Sequence, residues 1–253
     1  MLLAVDIGNS DTVFGLHDGH SWRQPCWRHP SQHYLTAGRK LEDEAKAIGL
    51  DLKTIGQVVL SSVVPGVTPH LRMMLQRLTG QPPLLVGPDI IGQLDLGIDN
   101  PQEIGSDLVA NAVAATDRAG GMPAVVVDFG TALTFTSVSG TGRILGVAIA
   151  PGLRTAIRAL FLGTAQLPTV PLELPETAIG KSTAHALQAG IMLGYVGLVK
   201  ELLARTREEL GGACRVYATG GLSGKLTPLH PLFDEIDPVL TLDGLRVIGE
   251  RWG

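Results

Sequence analysis

The chain has 253 residues, 45% of them hydrophobic and 17% charged, with a net charge of -4. That balance permits a large buried core, as one domain or as two of about 120 residues each. It argues against a nucleic-acid binder acting through a broad basic surface and favours a small or phosphorylated ligand. Cys26 and Cys214 lie far apart, with neither CxxC spacing nor an accompanying His cluster, so zinc and a disulfide framework are not expected and the cytoplasm is the expected compartment. Met1 leads directly into an apolar run without the pattern of a signal peptide.

The first segment, "LAVDIGNSDTVFGL", reads as a strand from Leu2 to Val5, a carboxylate at Asp6, a turn on Gly8-Asn9-Ser10 and a second strand from Thr12 to Leu16. Plain hairpin chemistry accounts for it, since Gly and Asn tolerate positive φ and an Asp can bond nearby amides. Further strands are predicted at 20–27 and 57–63, and helices at 66–79 and 106–119. The second of these helices opens in "NPQEIGSDLVANAVAA", where Gly105 breaks the chain and places Asp107 in a first turn. An Asp there is ordinarily a cap or a partner of the helix dipole. Opposite a hydroxyl that attacks a phosphate it could instead accept the hydroxyl's proton.

At residues 125–138 the opening pattern returns as "VVVDFGTALTFTSV", with Asp128 in the place of Asp6, nearly half a chain later. A strand at 143–150, a helix at 152–161, a long helix at 181–210 and a strand at 214–218 are predicted to follow. The long helix is apolar on most sides over its first half, and Gly190, Gly194 and Gly197 suit close approach to a second helix or a second subunit. Its His185, Gln188, Lys200 and Glu201 argue against a membrane span. "IGKST" at 179–183 imitates the end of a Walker A loop, but Pro175 stands where that motif needs its first Gly.

Two related hairpin-led halves of mixed α/β structure would present their Asp-x-Gly turns to each other across a cleft. Small turns let backbone N–H groups approach phosphate oxygens, and a carboxylate at a strand end can hold Mg²⁺ directly or through water. The Gly-rich "ATGGLSG" at 218–224 either lets a flat nucleoside lie against the backbone or is a simple strand-to-helix turn.

"DIGNSDTVFG", "GSDLVANAVAA", "VDFGTALTF", "GVAIAPGL", "IGKSTAHALQAGI" and "ATGGL" resemble, in order and approximate spacing, the type III pantothenate kinases of the acetate and sugar kinase, Hsp70 and actin superfamily. The resemblance spans nearly the whole chain. It implies a duplicated α/β fold of two ribonuclease-H-like (actin-like ATPase) domains with mixed sheets around a central nucleotide cleft, at residues 1–117 and 118–253, the second carrying a dimerisation helix. The implied reaction is ATP-dependent phosphorylation of pantothenate, the first step of coenzyme A synthesis, by a homodimer with no nucleic-acid or membrane partner.

The resemblance also implies site roles. Asp6, Ile7, Gly8, Asn9, Ser10, Asp11, Thr12 and Val13 would form the first phosphate loop, with Asp6 near Mg²⁺. Thr131 would be a second ATP contact, alongside Gly220 and Gly221. Asp107 would be the catalytic base within a substrate-binding run of Gly105, Ser106, Asp107 and Leu108. Asp128 would hold a monovalent cation, K⁺ or NH₄⁺, and Thr183 would contact pantothenate from the neighbouring subunit. The sequence departs from the family pattern at Ser10, where Thr is usual, and more seriously at Leu108, Ile98 and Thr136, where Arg, Tyr and Asp are usual. A lost charge-assisted hydrogen bond at Leu108 would weaken acceptor binding by about one to two orders of magnitude unless Arg118, Arg154 or Arg158 takes its place. The alternative expectation is a nucleotide-binding relative with weakened catalysis that serves as a regulatory or accessory protein.

Overall fold

The computed structural model describes residues 1–162 and 170–253, with side chains at 161 and 162 outside the description. The chain forms two compact units, Met1–Arg118 joined by Val239–Gly253, and Ala119–Pro238. The division expected from sequence assigned the last segment to the second domain. It belongs to the first because its helix packs on the first sheet.

In the first unit, β1 (Leu2–Ile7), β2 (Asp11–His17) and β3 (Trp22–Pro30) form an antiparallel meander, followed by helix α1 (Ala37–Ala47). Then come β4 (Gln57–Ser62), α2 (Thr68–Thr79), β5 (Leu84–Leu85), the short α3 (Pro88–Ile91) and α4 (Ser106–Arg118). The sheet order is β3-β2-β1-β4-β5, with β4 parallel to β1 and β5 parallel to β4. Alternation along β1 decides which residues face which layer. Leu3, Val5 and Ile7 join Leu41, Ala45, Leu71 and Leu75 of α1 and α2 in one core.

The second unit repeats this plan. Strands β6 (Ala124–Phe129), β7 (Ala132–Val138) and β8 (Ile144–Pro151) form the meander, and α5 (Leu153–Leu162), α6 (Thr183–Glu209), β9 (Arg215–Thr219) and β10 (Glu235–Ile236) follow. The order β10-β9-β6-β7-β8 is that of the first sheet, strand for strand, with β9 parallel to β6. Val125, Val127, Phe129, Leu133 and Phe135 bury one face against Met192, Tyr195, Val196 and Val199 of α6.

Last comes α7 (Leu240–Trp252), which covers the first sheet's other face beside α4. Gly15 of β2 gives room for Leu242, and Gly249 lies over Leu2 and Val59. The contact with α4 is closer still, since a Cβ on Gly244 would fall 1.9 Å from the Ala110 carbonyl oxygen. Buried Asp243 ties the pair together, accepting from Arg118 at 2.9 Å and from Arg246 at 2.8 Å.

Candidate active site

The register of the first sheet sets Asp6 opposite Val13 on β2 and beside Ser61 on the parallel β4, at the carboxyl-terminal edge of both parallel strands. Open α/β sheets bind ligands at that edge. The β1–β2 turn closes on a hydrogen bond from the Gly8 N–H to the Asp11 carbonyl at 3.0 Å, and Asn9, Ser10 and Asp11 are exposed. Two residues of the predicted loop turn their side chains inward. Ile7 sits in the core, and the buried Thr12 hydroxyl lies 3.1 Å from Ser31 Oγ. Of these two, only the backbone is available to a nucleotide. Val13 is half-buried within β2.

Helix α4 begins at the same edge. Ser106 is buried and its hydroxyl donates to the Ser62 carbonyl at 3.1 Å while accepting from the Ser62 N–H at 2.9 Å; the Ser61 hydroxyl, also 2.9 Å away, donates to it. The Ser106 side chain is therefore occupied by β4, and it fixes where the next residue stands. Asp107 folds its carboxylate back over the helix start, accepting from the Leu108 N–H at 2.8 Å. Burial raises its pKa above the ordinary carboxylate value, and the helix amides of Leu108 and Asp107 only partly counter this. Gly105 makes the posture possible, because a Cβ there would lie 2.4 Å from Asp107 Oδ1.

Leu108 is buried, in keeping with a packing role at this position. Of the three arginines expected to compensate, Arg118 is excluded as a mobile substitute by its bonds to Asp243. It also stands eleven residues along α4, about 16 Å from Asp107 at 1.5 Å per residue. Arg154 and Arg158 are exposed on α5. Ile98 is half-buried ahead of α4, and Thr136 is fully buried on β7.

In the second unit Asp128, next to the end of β6, is in register with Thr219 of β9, so the Gly-rich turn after β9 lands against its carboxylate. Gly220 has φ of +88°, and a Cβ there would meet Asp128 Oδ1 at 2.5 Å and the Phe129 backbone at 2.7 Å. Gly221 beside it is exposed. Thr131 is exposed in the β6–β7 turn, and its carbonyl accepts from the Gly152 N–H at 3.1 Å and the Thr155 hydroxyl at 2.7 Å. The Tyr195 hydroxyl is pushed up to about 12 by burial, with the charge of Asp128 adding to the shift. The structure thus gathers Asp128, Thr131 and Gly220 at one strand edge.

Thr183 opens α6 and is exposed, at the rim of an apolar recess of about 360 Å³ with Leu160, Ala186 and Gly190. Gly180 packs directly under the first turn of this helix, where a Cβ would fall 2.4 Å from the Ala186 backbone. That contact, rather than phosphate binding, explains the glycine of "IGKST". A larger recess of about 640 Å³ lies among Lys46, Asp51, Lys53 and Arg77, at the C-terminal ends of α1 and α2. Cations are ordinary partners of helix C-termini, and Lys53 Nζ donates to the Arg77 carbonyl at 2.8 Å.

Sequence reasoning missed two residues that shape the site. Buried Asn111, one turn after Asp107, accepts from the Thr241 hydroxyl of α7 at 2.8 Å. Ser31 lies under the first turn and bonds to three of its residues. Neither carries a local signal, because their partners are remote in sequence.

Two copies of one mixed sheet, each with an aspartate one residue before the end of its central strand and a glycine turn beyond, define an actin-like ATPase fold. An activator of 2-hydroxyisocaproyl-CoA dehydratase from Clostridium difficile, solved with bound ADPNP, superposes with a TM-score of 0.52 at 11% identity, covering 98% of this chain and 94% of that one. The ethanolamine utilization protein EutJ from Carboxydothermus hydrogenoformans gives 0.51 at 16% identity over 99% and 89%. The model of the type III pantothenate kinase family matches residues 2–205. A type III pantothenate kinase of Moorella thermoacetica is 46% identical over 255 residues, and one of Anaeromyxobacter sp. 42% identical over 254, each alignment covering 99% of both chains. The chain belongs to the type III pantothenate kinase family, and it is a kinase.

Proposed function

We propose that the chain transfers the γ-phosphoryl group of ATP to the primary hydroxyl of pantothenate, giving 4'-phosphopantothenate in the first step of coenzyme A synthesis. The observation that carries the mechanism is the posture of Asp107, a half-buried carboxylate held by Gly105 and by the amides of its own helix. Ser106 pins that helix to the sheet edge where the Asp6 turn also stands. Phosphoryl transfer passes through a loose transition state, so the protein's share is largely positioning and charge stabilisation. Asp107 accepts the hydroxyl proton as the oxygen attacks in line. Its raised pKa makes the ionised group a stronger base than an exposed carboxylate.

In the first unit the turn from Gly8 to Asp11 offers amides to the phosphates, and in the second unit Thr131, Gly220 and Gly221 are the residues proposed to contact ATP. Oxygen donors suit hard cations. Asp6 would hold Mg²⁺, directly or through water, and Asp128, walled by Gly220, would hold K⁺ or NH₄⁺. These ions supply neutralisation of the charge on the phosphates. On the acceptor side Leu108 offers no charge, and Arg154 and Arg158, exposed on α5 of the second unit, remain candidate partners of the pantothenate carboxylate.

The working form is a cytoplasmic homodimer. Helix α6 is long and apolar enough to cross a membrane by length and composition, and only 33% of its apolar window is buried. Gly190, Leu193, Gly194 and Gly197 are exposed at i, i+3, i+4 and i+7, and nothing among the described residues lies within 4 Å of where Cβ atoms on the three glycines would be. A second copy covers this stripe, bringing Thr183 toward its partner's pantothenate.

The test is ATP-dependent phosphorylation of pantothenate by the purified protein with Mg²⁺, with K⁺ or NH₄⁺ supplied or withheld, beside Asp107→Asn. Turnover by the parent and its loss in the variant is the expected result. Unchanged turnover in Asp107→Asn would remove the proposed base.

A further inference from the structure

Ser31 stands where β3 gives way to the 3-10 turn Ser31–Thr36, and it is only 3% exposed. Its amide donates to the Ser10 carbonyl at 2.9 Å. Its hydroxyl donates to the Gly8 carbonyl at 2.6 Å. With that proton engaged, the Thr12 hydroxyl 3.1 Å away must be the donor of the third bond, to Ser31 Oγ. One buried residue therefore grips the β1–β2 turn at three points from beneath.

The consequence follows from peptide geometry. The 8–9 and 10–11 peptides are trans, and in a trans peptide the C=O and N–H point in opposite directions. Drawing the Gly8 and Ser10 oxygens down to Ser31 turns the N–H groups of Asn9 and Asp11 away from it. Backbone N–H groups of one turn held to the same side can together receive an anion. We infer that Ser31 is a positioning residue for the nucleotide's phosphates, fixing the Asn9 and Asp11 amides in the direction from which phosphate oxygens approach. This rests on residues 6–13 being the phosphate loop.

The two peptides depend on Ser31 differently. The Ser10 carbonyl is held by the backbone of residue 31 and the Gly8 carbonyl by its side chain. Ser31→Ala therefore releases the 8–9 peptide and leaves the 10–11 peptide in place.

The experiment titrates Mg·ADP into the parent protein, Ser31→Ala and Ser31→Thr by calorimetry, and measures the two KM values of each. Loss of one buried hydrogen bond that orients an anion-binding amide is expected to weaken ADP binding about tenfold. KM for ATP should rise by a similar factor and KM for pantothenate should stay within twofold, with Ser31→Thr recovering most of the loss. Adding Mg·ADP should slow amide exchange at Asn9 and Asp11 in the parent, and at Asp11 alone in Ser31→Ala. Should Ser31→Ala fold poorly, Ser31→Cys keeps the side-chain volume with a weaker donor and should give a loss of about threefold. Parent protein that fails to bind Mg·ADP would refute the phosphate-loop reading itself. Parent protein that binds, with variants that bind equally well or lose both substrates alike, would overturn the role of Ser31 alone.

Discussion

The backbone of Gly105 lies so close under Asp107 that a single added methyl would stand 2.4 Å from the carboxylate oxygen Oδ1. Gly105→Ala must therefore displace the base or tilt the first turn of α4. A misplacement of about 1 Å at a reacting group can cost about a hundredfold in rate. We expect kcat to fall by about that factor while ADP affinity, measured by calorimetry, stays near the parent value.

Asp107 itself should reveal a conflict between function and stability. Its pKa is raised in the folded protein, so between the ordinary carboxylate value and the raised one the folded state binds more protons than the unfolded. The group's contribution to stability is accordingly fully present at acid pH and falls as pH rises through that window. Asp107→Asn should abolish this dependence and be at least as stable as the parent at pH 7, with kcat lower by about 10² to 10⁴. Denaturant titrations at several pH values, with parallel assays, check both. The acid limb of the parent's kcat/KM profile should sit above the ordinary carboxylate range.

Asp243 has the opposite sign. Burial pushes its pKa up, but hydrogen bonds from Arg246 and Arg118 and the charges of both outweigh this, and the pKa is lowered. Its contribution is present above the ordinary carboxylate value and is lost as pH falls through the lowered one. Asp243→Ala would leave two guanidinium groups without their shared partner, at a cost of about 3 kcal/mol. The loss should shrink in acid, as urea midpoints of parent and variant at neutral and low pH would show.

Gly220→Ala should damage the second unit's edge. The position has φ of +88°, which side chains avoid, and a Cβ would strike both Asp128 and the Phe129 backbone. We expect the response of kcat to added K⁺ or NH₄⁺ to weaken by at least tenfold if Asp128 holds that ion.

A bulky charge on the exposed stripe of α6 should separate the proposed dimer. Leu193→Glu lies on that stripe. Sedimentation should show the parent as a dimer and the variant as a monomer, with KM for pantothenate raised because Thr183 of the partner subunit is withdrawn.

The hairpins and the duplication were legible in the sequence because each turn repeats the same Asp, Gly and apolar alternation within fourteen residues. Asp107 was legible as a first-turn carboxylate, since Gly105 and the alanines mark the helix. Its folded-back posture was not, because that depends on a contact two residues away and on Ser61 and Ser62. Helix α1 was missed because only Ala37, Gly38, Leu41 and Ala45 are buried in a segment otherwise rich in charge. Helix α7 was missed because Gly244 and Gly249 weaken its helical signal. The physical reason for both glycines is close approach to Ala110 and to Leu2 and Val59.

Because Val239–Gly253 closes the first unit, the second is an insertion in a unit whose two pieces are translated before and after it. On the ribosome the inserted unit has all its residues before the N-terminal sheet receives the helix that covers one of its faces. The earliest strands must wait with Leu2 and Val59 uncovered by that helix, which makes this period the time at which a nascent chain most needs protection from aggregation.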